Sequence, residues 1–332
     1  MKNQFEEIVG CDAVNDHINK PIPEKLWHYT SYAAFQGIIT SKKIWATEYR
    51  FLNDREEFLH AKNLAQELVN EETEFAGEQF PAREILRQGV DAAFSIGYLH
   101  EERLRIMVAS FSEEGDQLGQ WRGYAGNSAG VSIGFDLRST RPPSNIGTAV
   151  TFAPCIYQED SKRALLKEIF AHYRNELQEW WDRTMNEAAK KQSQDSGIAL
   201  QRVKAAISEH KDELRQIADR RHRSLQFDLL RIAPLLKSES FSEEKEWRLV
   251  LPMETIRLPT NHPLEFRPIR DAVVPYVAYP LRSPNQEGPI FCNDLILGPG
   301  SHPSADVGVN MFLQREGIRV LARQSKVPYR PK

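Results

Sequence analysis

Cysteine is nearly missing from this chain. Cys11, Cys155 and Cys292 lie far apart, form no C-x-x-C pair and are odd in number, which argues against a disulfide framework and suits a reducing cytoplasm. A long hydrophobic run is missing too: nothing approaches the roughly eighteen uninterrupted apolar residues of a membrane span. Met1 to Asp16 carries Glu6, Glu7 and Asp12 and no apolar stretch of the signal-peptide kind, so the chain reads as soluble and untargeted, with no membrane partner. A dominant charge is lacking as well. A formal net charge of −3 and a pI near 6.3 remove any global reason to bind a polyanion and leave only local basic faces to consider. The glycines Gly115, Gly119, Gly123, Gly126 and Gly130 match neither G-x-G-x-x-G nor a loop ending in GK[ST], so nucleotide folds of those kinds are not expected. The nine histidines are scattered without metal-ligand spacing, and no metal site is expected.

What is present is an ordinary globular composition, 332 residues with 41% apolar and 10% aromatic side chains, enough for a sizeable core. Helical spacing over Arg55 to Val69 and Pro81 to Arg105 predicts helices packed on a sheet. Strands are predicted at Ile106 to Ser112, Val131 to Phe135 and Thr148 to Tyr157, and again at Trp247 to Leu251, Ala272 to Tyr279, Ile290 to Leu297 and Ile318 to Arg323. A helix is expected from Ser304 to Glu316. Between the two sets of strands, Ser161 to Lys237 contains one proline and one glycine and a long helical period, broken near Ser193 to Gly197. It predicts an antiparallel helical pair. Its 16 Lys and Arg against 11 Asp and Glu make it basic, densest at Arg220-Arg221-His222-Arg223; such a run is a solvated helix face or a contact for nucleic acid. The expected architecture is an N-terminal extension (1–25), an α+β core (26–160 and 238–332) and an inserted helical lobe (161–237).

Three constellations carry chemistry. Trp27-His28-Tyr29-Thr30-Ser31 reads as a strand delivering His28 and Thr30 to a site, followed by a helix from Ser31, a good N-cap, to Thr40 and a second strand from Ile44 to Tyr49. The competing reading of His28 is a half-buried core histidine. Ser110 and Ser112 share one face of a strand; the alternative is strand-end serines bonded to backbone. Glu244 and Glu246, with Arg248, fall on a common strand face where the chain enters an apolar strand. A carboxylate there could hold a sugar hydroxyl and stabilise positive charge on an opening glycosidic carbon, or be one of the surface carboxylates common before strands.

The WHYTS segment, Phe51-Leu52-Asn53-Asp54 with Glu56, Ser110-Phe111-Ser112 followed by Trp121 and Tyr124, Gly130 to Phe135, Glu244 to Leu249, Leu297-Gly298-Pro299 and Pro328-Tyr329-Arg330 together resemble the bacterial domain-of-unknown-function family numbered 2971, over nearly the whole chain. That family name carries no activity. A weaker likeness is to ADP-ribosyltransferases, which implies a split β-sheet core with flanking helices and NAD as substrate. By that likeness His28, with Tyr29 and Thr30, would hold ribose hydroxyls of NAD, and Ser110 or Ser112 would support the catalytic carboxylate. Glu246 would be the catalytic glutamate, and Glu244 would orient the nucleophile. The histidine is similar to the diphtheria-toxin-like group, whereas S-x-S and E-x-E are similar to the arginine-modifying group. That mixture leaves the macromolecular acceptor open between protein and nucleic acid, and a toxin or phage-defence role rests on analogy. The reading from another class is a non-catalytic interaction protein that binds a protein or nucleic acid through its basic helical lobe.

Overall fold

A computed structural model describes residues 10–52, 55–71, 82–94, 104–125, 129–138, 150–190, 211–254, 264–269, 271–280 and 292–328. The chain divides into two compact units, one of Met1–Asp16, Glu56–Glu101 and Gln158–Ala233, the other of His17–Arg55, Glu102–Tyr157 and Pro234–Lys332.

The second unit is α+β, with an open, mixed sheet and flanking helices. Its strands are β1 (Leu26–Thr30), β2 (Lys43–Glu48), β3 (Leu104–Ser112), β4 (Val131–Phe135), β5 (Thr151–Pro154), β6 (Glu246–Glu254), β7 (Leu264–Pro268), β8 (Val273–Pro280), β9 (Asp294–Leu297) and β10 (Arg323–Gln324). Among the described residues all strand pairs are antiparallel except β9 with β10.

The register of β3 explains where a cleft forms. One edge of β3 pairs with β6 along its whole length, from Leu104↔Glu254 to Ser112↔Glu246. A strand has only two edges, so β2 and β1 share the other: β2 takes Val108 and Met107, and β1 takes only Ser112, opposite Trp27. Between those contacts neither strand pairs with Ala109, Ser110 or Phe111 on that edge. The sheet therefore opens there, between a group built on β1, β4, β9 and β10 and a group built on β2, β3 and β5 to β8.

The connection from β1 to β2 is the short helix Tyr32–Ser41. It forms as its sequence predicts: the Ser31 hydroxyl accepts from the Ala34 amide at 3.3 Å, and Phe35, Ile38 and Ile39 are buried. Its last turn is closed by Lys42 in the left-handed region (φ 59°), whose amide donates to the Ile38 carbonyl. The apolar face joins Leu26, Ile44, Ile133, Phe135, Val277 and Leu295 in one core. β4, paired on both edges with β1 and β9, is buried at all five positions, so both of its faces are covered. Gly130, just before it, passes so close to the Thr30 carbonyl that a side chain there would strike backbone. Gly130→Ala is expected to lower stability by about 1–3 kcal/mol, the usual cost of overpacking; an unchanged urea midpoint would show that β1 and β4 can move apart at no cost.

The first unit is helical: Arg55–Glu71, Ala82–Ala93, Glu159–Lys190 and Lys211–Ile232. Buried Leu64, Leu68, Leu86, Val90, Leu166, Phe170, Leu225 and Leu229 supply its apolar faces. Asp228 is fully buried and accepts from the Cys11 amide at 2.7 Å and the Tyr173 hydroxyl at 2.8 Å. The Cys11 bond ties residue 11, read from sequence as part of an extension, into the helical unit. The segment Glu56–Glu101, read as core, also groups with these helices. The break expected near Ser193 to Gly197 and the end of the helix expected to run to Arg105 fall largely outside the described residues. The closing strand expected at Ile318 to Arg323 is only the pair Arg323–Gln324, and β7 has no counterpart in the sequence reading.

Candidate active site

At the opening of the sheet lies a cleft of about 170 Å³, walled by β1, β2, β3, the helix Leu118–Tyr124, Glu244, Glu246 at the start of β6, and Arg267 of β7. His28, Tyr29, Thr30, Ser110, Glu244 and Glu246 all line it, although His28 and Glu246 are over two hundred residues apart in sequence. Ser112 is not in its lining.

His28 crosses the gap left by the missing strand pairing. Its Nδ1 lies 2.9 Å from the Ser110 carbonyl, which can only accept, so Nδ1 carries the proton. Burial holds the ring well below the ordinary histidine value, at about 4; the Ser110 carbonyl opposes that shift and nearby Arg267 adds to it. The ring is neutral near pH 7, and Nε2 is an acceptor.

The carboxylates sit in a buried ion cluster. Glu246 is 3% exposed; its Oε1 accepts from Arg248 Nε at 2.7 Å, and its Oε2 from Lys237 Nζ at 2.6 Å and the second Arg248 amine at 3.0 Å. Lys237 also donates to Glu244 Oε2 at 2.7 Å. Burial alone would raise the Glu246 pKa, but Arg248 and Lys237 outweigh it and hold the group at about 2. Two cations and two anions give the cluster no formal net charge, so Glu246 stays ionised without a strong field of its own sign.

Several sequence expectations are corrected by this geometry. Glu244 and Glu246 do not share a strand face: Glu244 ends the short 3-10 helix Glu239–Glu244, Lys245 turns through the left-handed region (φ 42°), and β6 begins at Glu246. Lys237, rather than strand alternation, brings the two carboxylates together. Ser112 acts on backbone instead of on a carboxylate, its hydroxyl donating to the Glu244 carbonyl at 2.7 Å and accepting from the Glu114 amide at 3.0 Å. Tyr29 lines the cleft, but its hydroxyl donates to the Glu114 carbonyl at 2.8 Å and accepts from the Gln117 amide at 3.0 Å. It positions that loop, with its ring edge-on to Trp121 at 4.8 Å.

Lys237, Trp45, Gln120 and Arg267 escaped the sequence reading as site residues. Lys237 was the end of a helical lobe and Trp45 part of a strand. The alternation Leu264-Glu265-Phe266-Arg267 between prolines was the signal that could have revealed β7.

The shifted groups predict the acid limb of stability. His28 has a folded pKa below its unfolded value, so the unfolded chain takes up the proton first; its contribution is complete above about pH 6.5 and is lost as the pH falls to about 4. Glu246 follows the same sign in a lower window, from its unfolded value near 4.5 down to about 2. The His28 window is worth up to roughly 3 kcal/mol. In urea melts across pH, His28→Asn, whose amide can still donate to Ser110, should flatten the loss between pH 6.5 and 4; an unchanged slope would assign that window to other groups.

Among the described residues no helix is long and apolar enough to cross a membrane. No curated protein and no solved structure matches the chain. The model of a family described as "Protein of unknown function (DUF2971)" matches residues 120–249. The matched stretch holds Gln120, Lys237, Glu244, Glu246 and Arg248 and leaves out β1, β2 and β7 to β10. Over residues 120–249 the chain is thus similar to that family, whose description assigns no activity.

Proposed function

We propose that the cleft takes the nicotinamide-ribose end of NAD and breaks its glycosidic bond, transferring ADP-ribose to an acceptor or to water, on a core of the ADP-ribosyltransferase kind. The observation that carries this reading is the meeting of a neutral imidazole from β1 and the start of β6, with its carboxylates, in one cleft where the sheet opens. His28 Nε2 would accept from a ribose hydroxyl. Glu246, held ionised by Arg248 and Lys237, would face the sugar carbon as the C–N bond lengthens and that carbon becomes cationic. Nicotinamide leaves with the bonding electron pair, the nucleophile supplies a new pair, and Glu244 would orient that nucleophile. A cleft of about 170 Å³ is below the roughly 300–1,000 Å³ of pockets that enclose a whole ligand, so the adenosine half would lie outside it.

A second reading, a non-catalytic protein that binds a protein or nucleic-acid partner through its helices, is favoured by one observation: both Glu246 oxygens already accept from Lys237 and Arg248. Nicotinamide release from NAD, measured with a lysate supplying acceptors, decides between them. Release above background, together with NAD binding by calorimetry, supports the transferase; neither release nor binding leaves the partner-binding reading.

A further inference from the structure

We propose that the cleft contains an anion subsite, in which Arg267 receives the phosphoryl group of a phosphorylated riboside. The subsite rests on the proposed NAD reading for the riboside, but not for the anion.

The cations around the cleft differ in one respect. Lys237 and Arg248 are paired with Glu244 and Glu246. Arg267 pairs with no carboxylate among the described residues; one terminal amine donates to the Thr47 hydroxyl at 2.9 Å, and its buried Nε has no acceptor. A half-buried cation without a counter-ion is unfavourable unless something else compensates. Part of the compensation is aromatic: the guanidinium carbon lies 5.2 Å from the Trp45 ring centre and 5.7 Å from that of Tyr276. These side chains meet because the registers Thr47↔Tyr276, Trp45↔Ala278 and Arg267↔Val274 place all four on one face of the sheet. Burial lowers the Arg267 pKa, yet a guanidinium starts so high that it stays charged.

Two rings, tilted 44° to each other, flank the guanidinium while its Nε lacks an acceptor. A guanidinium so placed can give parallel N–H bonds to two oxygens of one anionic group, as phosphoryl groups require. His28 lines the same cleft, close enough for the Arg267 charge to act on it, and Thr30 and Ser110 also contribute to its wall. An acceptor for sugar hydroxyls beside a guanidinium with no paired carboxylate among the described residues suits a ribose with a phosphoryl group attached.

Nicotinamide mononucleotide and nicotinamide riboside differ only by that group, and calorimetry on the full chain reads the difference. Wild-type protein should bind the mononucleotide at least about tenfold more tightly, as expected for a charge-assisted bidentate contact. Arg267→Met should abolish the preference while leaving riboside affinity unchanged; Arg267→Lys, which keeps the charge without the fork, should retain only part of it. Equal binding of both ligands by wild type, or a preference that survives in Arg267→Met, overturns the subsite. If neither nicotinamide ligand binds, the NAD reading fails by itself, and sodium pyrophosphate then probes the anion site alone. A concentration-dependent rise in wild-type Tm that is absent in Arg267→Met and smaller in Arg267→Lys sustains the subsite, and no rise in wild type, or an equal rise in Arg267→Met, removes it.

Discussion

Glu246→Gln is expected to destabilise the folded protein by about 3–5 kcal/mol, because breaking a buried ion cluster leaves a charge without its partner. Removing the Glu246 charge leaves Lys237 and Arg248 facing Glu244 alone, a buried net charge of one sign where there was none. The amide keeps the shape and can still accept, but it cannot offset two cations. Removing Lys237 as well restores neutrality, so the double variant Glu246→Gln/Lys237→Met should be more stable than the two single losses added together. Coupling energies in such networks run to about 0.5–3 kcal/mol. Urea denaturation of the four proteins measures this directly, and additive losses would show that the cluster does not act as a unit.

The same substitution should lower nicotinamide release, per folded molecule, on the order of 10²–10³-fold, about 3–4 kcal/mol of transition-state stabilisation. Activity must be read well below the variant's lowered Tm, with the folded fraction measured in parallel, since misfolding would mimic a chemical defect. Lys237→Met supplies the control: it disturbs the same cluster but leaves Glu246 paired with Arg248. Release that falls sharply in Glu246→Gln and only modestly in Lys237→Met assigns the effect to the carboxylate. Equal losses in both would reduce Glu246 to a structural ion, and the proposed chemistry would need a different carboxylate.

Much of the local structure was legible before any coordinates. Ser31 as an N-cap, the apolar spacing of Phe35, Ile38 and Ile39, and the strand around Val131 to Phe135 are short-range statements, and the structure agrees with them to within a residue or so. Capping and side-chain periodicity act between neighbours in sequence, so the residues that cause these elements are the residues one reads. β7 shows where this stops. Five residues that end in a proline and expose two side chains in mid-strand make a weak local signal, and β7 exists because β8 offers it an edge.

Read alone, the chain supplies the residue types at hand: a histidine in a strand before a capped helix, paired serines, and a Glu-x-Glu-x-Arg entering an apolar strand. Tertiary structure alone decided what each of them does. Because β1 and β2 share one edge of β3 without filling it, the Ser110 carbonyl is available to His28 and a cleft exists at all. Because Lys237 lies between Glu244 and Glu246, those carboxylates are ion-paired rather than exposed. The reason is physical: a charge's ionisation and partners depend on what lies within a few ångströms, and chain folding brings residues that near from any distance in sequence.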